Sequence, residues 1–226
     1  MREVLGVSRI TRRWAGSSTL TRGVMNATAL ADVQPAAPQK RQRRAMILDA
    51  ALVIGSEGGY DAVQMRKVAE RANIAVGTLY RYFPSKVHLL VSVLGRQFER
   101  FDASHNWAVT GATPHQRLRR VVDRINDEWQ RNLALTEAMT RAFVFADTSA
   151  AEEVAHAANV FEGMLARALS GGEPREEQHD IARVICDVWL ANLTVWLTRR
   201  VPAAEVCQRL DHAMRLLVGD DEHSKI

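Results

Sequence analysis

The 226-residue chain is 47% hydrophobic and 25% charged, an ordinary globular balance, long enough for one sizeable core or two modest ones. No apolar run approaches the roughly 18 residues needed to span a bilayer, and arginines interrupt residues 1–24 where a secretory signal needs an apolar stretch. Cys186 and Cys207 are the only cysteines, without CxxC or zinc-type spacing, so a disulfide framework and a structural metal are excluded and a soluble cytoplasmic protein with reduced cysteines is expected. The net charge of +4 is partitioned: residues 1–39 carry +3, residues 40–100 carry +6 from eleven basic and five acidic side chains, and residues 101–226 carry −5. A basic segment joined to a mildly acidic remainder points to a polyanion for the first part and another task for the second.

Residues 1–39 lack sustained periodicity and read as a disordered extension, or, because Met25 offers an alternative start, as partly an over-called one. From Arg41 a helical pattern begins, with Ile47, Ala50, Ala51 and Ile54 on one face and Gly58-Gly59 as its stop. A short second helix over about Gln64 to Arg71 turns Met65, Val68 and Ala69 inward. Asn73, which tolerates a left-handed backbone, suits the tight turn before the third helix, AVGTLYRYF. Ser85 caps a fourth helix carrying Val87, Leu90, Val91, Leu94, Phe98 and Phe101, and Thr113-Pro114 opens a fifth with Leu118, Val122, Ile125 and Trp129 inward. A sixth holds Leu135, Met139 and Phe143, and a seventh holds Val154, Ala158, Phe161 and Leu165 up to Gly171-Gly172. Two long helices close the chain, one from about Pro174 to Thr198 and one after Pro202. Their broad apolar stripes, with Ile185, Val188, Asn192, Trp196, Val206, Leu210 and Leu217, predict self-association through a four-helix bundle. No strand signal or internal repeat is found, so an all-α fold is expected, with a DNA-binding domain at 40–85, a second domain at 86–220 and a tail at 221–226.

Two helices joined by a three-residue turn inside a basic segment fit the physical description of a helix-turn-helix. Ala75, Val76 and Gly77 keep the entering end of the third helix narrow, and Gly77 does so at a cost of about 1 kcal/mol in helix propensity. Thr78, Tyr80 and Tyr82 offer hydroxyls, and Lys86 adds a cation beside free backbone N–H groups at a helix start, which suits a phosphate.

The run VQMRKVAERANIAVGTLYRYFPSKVHLL (63–90) resembles the DNA-binding domain of the TetR family of transcriptional regulators, with A-E-R-A, the turn, G-T-L-Y-x-Y-F and S-K in one register. The resemblance implies a TetR-like fold, that is, a three-helix DNA-binding domain followed by a helical effector-binding and dimerisation domain. It implies that Thr78, Tyr80, Tyr82 and Lys86 meet phosphates, that Val76 and Gly77 face base edges, and that Arg66 reaches a guanine. Gln64 stands where the family often has Thr or Ser as a cap, and Asn73 replaces the common turn glycine. LTEAMTRAFVFAD (135–147) and RVICDVWLANLTVWLTRR (183–200) extend the resemblance to the KstR-type repressors of sterol catabolism in actinobacteria. What it implies is a homodimeric repressor on a palindromic double-stranded operator, released by a coenzyme A thioester of a sterol-derived acid, with no other cofactor, no metal and no membrane.

An apolar effector of that shape needs an elongated cavity, for which Leu94, Phe98, Trp129, Leu133, Met139, Phe143, Phe161, Met164 and Trp189 are the expected lining. Cations at its mouth are expected from RLRRVVDR (117–124), notably Arg120 and Arg124, with Arg131 and Arg141. Apolar residues at helical spacing equally serve as plain core, and an arginine group equally forms a solvated face. Three rivals remain open: a regulator of another apolar ligand such as a fatty acyl-CoA or a drug, a di-iron bundle using Glu153/His156 and Glu176/His179, and a redox sensor using Cys186 and Cys207.

Overall fold

A computed structural model describes residues 36–219. Residues 1–35 and 220–226 lie outside the described residues, and with them most of the expected disordered extension and the expected tail. Among the described residues the chain is all helical: α1 (Ala36–Ala62), α2 (Met65–Arg71), α3 (Val76–Tyr82), α4 (Lys86–Ala103), α5 (Pro114–Gln130), α6 (Leu133–Val144), α7 (Ala151–Ser170), α8 (Glu176–Leu197) and α9 (Ala203–Val218). Two 3-10 turns, Trp107–Val109 and Thr148–Ala150, were not anticipated from periodicity. The helix α1 starts four residues inside the segment read as disordered, and it is broken at Gly59, whose φ of 68° and ψ of −161° lie outside helical space.

Local chemistry accounts for the helix ends. The turn after α2 is a Schellman arrangement: Asn73 sits at φ 52°, its N–H bonds Glu70 O at 3.0 Å, and Ile74 N bonds Ala69 O at 3.0 Å. Ser85 Oγ accepts from Val87 N and His88 N to cap α4, and Thr113 Oγ1 accepts from Gln116 N to cap α5 ahead of Pro114. Gly171, at φ 69°, closes α7 in the left-handed conformation. Gln64 makes no side-chain cap for α2, as its replacement of Thr or Ser suggests.

One connected hydrophobic core runs through these helices, from Ile47, Val68, Leu79 and Phe83 to Leu165, Ile185 and Leu210. The central layer is α4 against α6 and α7; α7 then packs on α8, α8 on α9, and α5 on α7 and α9. Residue 85 is therefore a hinge between helices rather than a gap in the core: Phe83 and Leu89, on either side, are both fully buried.

The predicted dimer set divides. Ile185, Asn192, Val206 and Leu210 are buried within the chain itself, so they are not available for a partner. Asn192 Nδ2 donates back to Val188 O at 2.8 Å. Val188, Trp196 and Leu217 are half-buried, and Val184, which was not singled out, is 45% exposed. The physical reason is that a helical apolar stripe reports burial without saying which neighbour supplies it, and α5 and α7 already cover this side.

Candidate nucleic-acid interface and effector cavity

The face formed by α2 and α3 carries exposed Arg66, Lys67, Arg71, Tyr80 and Arg81, while Leu79 and Phe83 anchor α3 from beneath. A Cβ placed on Gly77 meets no heavy atom within 4 Å, so nothing inside the chain requires glycine there. Tyr80 is 48% exposed, and Thr78 Oγ1 accepts from Arg81 Nη2 at 3.3 Å, which ties a cation missed by sequence reasoning to the middle of the helix. Val76 and Tyr82 are corrected: both are half-buried and pack against the core, so Val76 is not presented outward with Gly77. Its position at the first turn of a seven-residue helix leaves one face against α2.

Lys86 is also corrected. Its Nζ lies 3.8 Å from the centre of the Tyr60 ring and donates to Tyr60 O at 3.1 Å, so it is engaged within the chain and not free over a phosphate. Burial of the ammonium lowers its pKa, against the raising effect of Asp61. Arg141, expected at a cavity mouth, stacks on the same ring at 4.3 Å, with Asp61 at 3.8 Å and Glu137 at 3.9 Å. Tyr60 is thus clasped between the first residue of α4 and the middle of α6, a contact joining the helix-turn-helix to the following helices. A second tie lies close by: His88 Nδ1 is 2.9 Å from Ser85 Oγ, and His88 Nε2 is 3.0 Å from Ser149 O.

Behind these ties lie two adjoining spaces. The inner one is a cavity of about 100 Å³ lined by Leu94, Phe98, Trp129, Phe143, Phe161 and Trp189, six of the predicted residues. Thr140, Ala158, Cys186, Asp187, Leu190 and Leu193 complete it and were missed. Its walls are locked by ring packing: Phe98 stacks on Phe161 at 4.8 Å and on Trp129 at 5.5 Å, and Trp189 meets Trp129 edge-on at 4.9 Å. Trp189 Nε1 donates to Asn126 Oδ1 at 3.2 Å, which fixes the indole.

The outer space is a cleft of about 560 Å³ between α4, α5 and α6, lined by Arg100, Arg124, Arg131, Trp129 and Met139 among others. Trp129 is common to both linings. Arg124 forms no ion pair among the described residues, whereas Arg131 pairs with Glu128 and Arg100 with Asp49 at 3.3 Å. Arg100 and His105 were missed, because the relevant turn of α4 reads simply as a polar helix end.

Four expected site residues stand elsewhere. Leu133 is 53% exposed at the start of α6, and Met164 is fully buried core in α7 lining neither space. Arg120 points to solvent outside the cleft, and Arg141 is held at Tyr60 as above. Arg117, from the same basic run, is buried: its Nε donates to Ala168 O at 2.6 Å, Nη2 to Leu169 O at 2.9 Å, and Nη1 to Gly111 O and Ala112 O, both at 3.3 Å. It caps the carboxyl end of α7, where carbonyls lack helical donors.

The rival sites do not assemble. His156 pairs with Glu99 at 2.9 Å and His179 with Glu162 at 3.0 Å, and among the described residues no group of three or more His, Cys, Asp or Glu could hold a metal ion. Burial pushes the Cys186 thiol well up, with Glu162 and Asp187 adding to the shift, and burial also raises Cys207; both disfavour the reactive thiolate.

Comparison with known proteins agrees with this geometry. Residues 47–93 match the family described as bacterial regulatory proteins, tetR family, and residues 111–217 match the tetracyclin repressor-like C-terminal domain. The HTH-type transcriptional repressor KstR of Mycolicibacterium smegmatis is 60% identical over 202 residues, 89% of this chain and 99% of that protein. KstR of Rhodococcus jostii is 55% identical over 181 residues, 80% of this chain and 85% of that one. Among solved structures, a TetR transcriptional regulator from Rhodococcus sp. RHA1 superposes with a TM-score of 0.74 at 28% identity, covering 81% of this chain and 99% of that one. Thermus thermophilus FadR, solved in complex with lauroyl-CoA, superposes with a TM-score of 0.61 at 18% identity, covering 78% and 94%. The relatives are transcriptional repressors and not enzymes. With its DNA-binding helices, its effector half and nearly all of its length matched, the chain belongs to the TetR family of helix-turn-helix transcriptional regulators.

Proposed function

We propose that this chain is a cytoplasmic, homodimeric repressor of lipid catabolism genes, released from a palindromic operator by the coenzyme A thioester of a sterol-derived acid. Residues 40–85 bind DNA through α3, and residues 86–220 bind the effector and the partner. The observation that carries the effector reading is the shared wall at Trp129, with a cleft bearing Arg124 on one side and a ring-lined apolar cavity on the other. Such a pair suits a ligand with a phosphate-bearing head and an apolar body. The high identity to KstR repressors supports the sterol class, and the lauroyl-CoA held by the Thermus thermophilus neighbour supports the fold's ability to accept a thioester.

The inner cavity, at about 100 Å³, is smaller than the ~300–1,000 Å³ of typical ligand sites, so binding requires the walls to move apart. Leu94 and Phe98 belong to α4, the helix whose first residue is clasped at Tyr60. Effector entry therefore pushes on the helix that leaves the DNA-binding domain. In a dimer this changes the separation of the two α3 helices from the ~34–36 Å that successive major grooves demand, and affinity for the operator falls in proportion to the effector's preference for the shifted state.

The test is a gel-shift titration of the full chain on its operator with a sterol-derived acyl-CoA, a long-chain fatty acyl-CoA and coenzyme A alone. Release by the sterol thioester only is the expected result. Release by fatty acyl-CoA at equal concentration would replace the sterol class with the broader one, and release by coenzyme A alone would refute the apolar cavity as the sensor.

A further inference from the structure

Thr140 is 4% exposed, lines the inner cavity, and its Oγ1 has no hydrogen-bond partner among the described residues. This sets it apart from its neighbours. Thr136 Oγ1, one turn earlier on α6, donates to Trp129 O at 2.8 Å. Thr194 and Thr198 on α8 donate to carbonyls four residues back, both at 2.9 Å. Thr140 has that same option toward the backbone of α6 and does not take it. A buried hydroxyl without a partner destabilises the protein, and an isosteric valine at this position would avoid the cost. The other walls are hydrocarbon or aromatic, apart from the Cys186 thiol and the Asp187 carboxyl on α8.

We infer that Thr140 is a specificity-determining residue whose hydroxyl bonds a single oxygen, a ketone or hydroxyl, carried on the buried end of an otherwise apolar effector. The inference rests on the proposal that an acyl-CoA thioester fills the cavity from the side of the cleft. Thr140 and Phe143 share one face of α6, turned to the cavity, whereas Thr136 and Met139 face the cleft. A ligand entering past Trp129 therefore meets the Thr140 hydroxyl at the end remote from its coenzyme A head. The hydroxyl donates to a ketone or accepts from an alcohol, so it selects for the oxygen and leaves its oxidation state open. A fully reduced skeleton of the same shape would bury the hydroxyl without a partner, and would bind less well for that reason.

The experiment uses two coenzyme A thioesters of one rigid polycyclic acid, identical except for a ring ketone at the end remote from the thioester. Binding to the full chain is read by tryptophan fluorescence, and operator release by gel shift. Wild type is expected to prefer the ketone by about tenfold. Thr140→Val is expected to bind the two within about twofold, and Thr140→Ser to restore the preference. Thr140→Val without ligand is expected to melt no lower than wild type, because no internal bond is lost. Equal binding of the two thioesters by wild type, an undiminished preference in Thr140→Val, or a lowered melting temperature in that variant each overturns the role of Thr140. Binding of neither thioester by operator-competent protein overturns the thioester reading, and the role of Thr140 with it.

Discussion

Replacing Gly77 by alanine separates what the fold needs at α3 from what the DNA needs. The residue is the second of the helix, its φ is not positive, and a Cβ there meets nothing within 4 Å. Alanine therefore introduces neither strain nor a clash, while it reduces the conformational freedom of the unfolded chain. Near a helix start the gain is about 0.5 kcal/mol, which raises Tm by about 1–2 °C in a chain of this size. At a groove-entering helix the same methyl occupies space that a base edge takes, and overpacking there costs about 1 kcal/mol or more per copy. A dimer presenting two copies is expected to lose at least roughly tenfold in operator affinity. The slope of log affinity against log salt should stay as it was, because no phosphate contact is removed. Differential scanning calorimetry and fluorescence anisotropy at several salt concentrations make the comparison. A Tm that falls by several degrees would show that the chain itself demands glycine, and unchanged affinity would show that nothing approaches the backbone of α3.

Arg117→Met should lower Tm by about 6–12 °C, from the loss of roughly 3 kcal/mol when carbonyls at the end of α7 lose their guanidinium donor; Arg117→Lys should recover little, because an ammonium lacks the planar fork, and thermal melts decide between them. Tyr60→Leu removes the ring between Lys86 and Arg141 and should weaken the response to effector, measured as the ratio of operator affinities with and without thioester, more than it weakens operator binding itself. Arg66→Ala should relax preference at one operator position with little change in the salt slope, whereas an equal loss on every sequence would make it a phosphate contact. Because burial raises the Cys186 thiol above its ordinary range, iodoacetamide should modify it slowly at pH 8, and bound effector should slow it further, as mass spectrometry of the labelled peptide would show.

Much of the secondary structure is written in short stretches. Ser85, Thr113-Pro114, Asn73 and Gly171 mark helix boundaries through interactions within a few residues of chain, so they are readable without any tertiary information. Six of the nine expected apolar lining residues reach the inner cavity for a related reason: helical periodicity identifies inward faces, and the cavity lies where several inward faces meet. Leu133 and Met164 fail because the same periodicity does not distinguish a helix end from its middle, or filled core from open space. Thr140 carried no signal at all, since an unpaired hydroxyl is defined only by what surrounds it.

The charged residues show the limit most clearly. Local sequence placed Arg117, Arg120, Arg124, Arg131, Arg141 and Lys86 in one class of available cations. Tertiary structure divided them: Arg117 caps α7, Arg141 and Lys86 clasp Tyr60, Arg120 faces water, and only Arg124 and Arg131 line the cleft. By itself the sequence determined that the chain is helical, that α3 carries a narrow end and exposed polar groups, and that its motifs resemble TetR regulators. Which apolar face of α8 and α9 remains for a partner, and which cations remain for a ligand, were decided only in three dimensions. Helix formation and capping depend on neighbours three or four residues away, whereas availability depends on which distant helix has already taken the group.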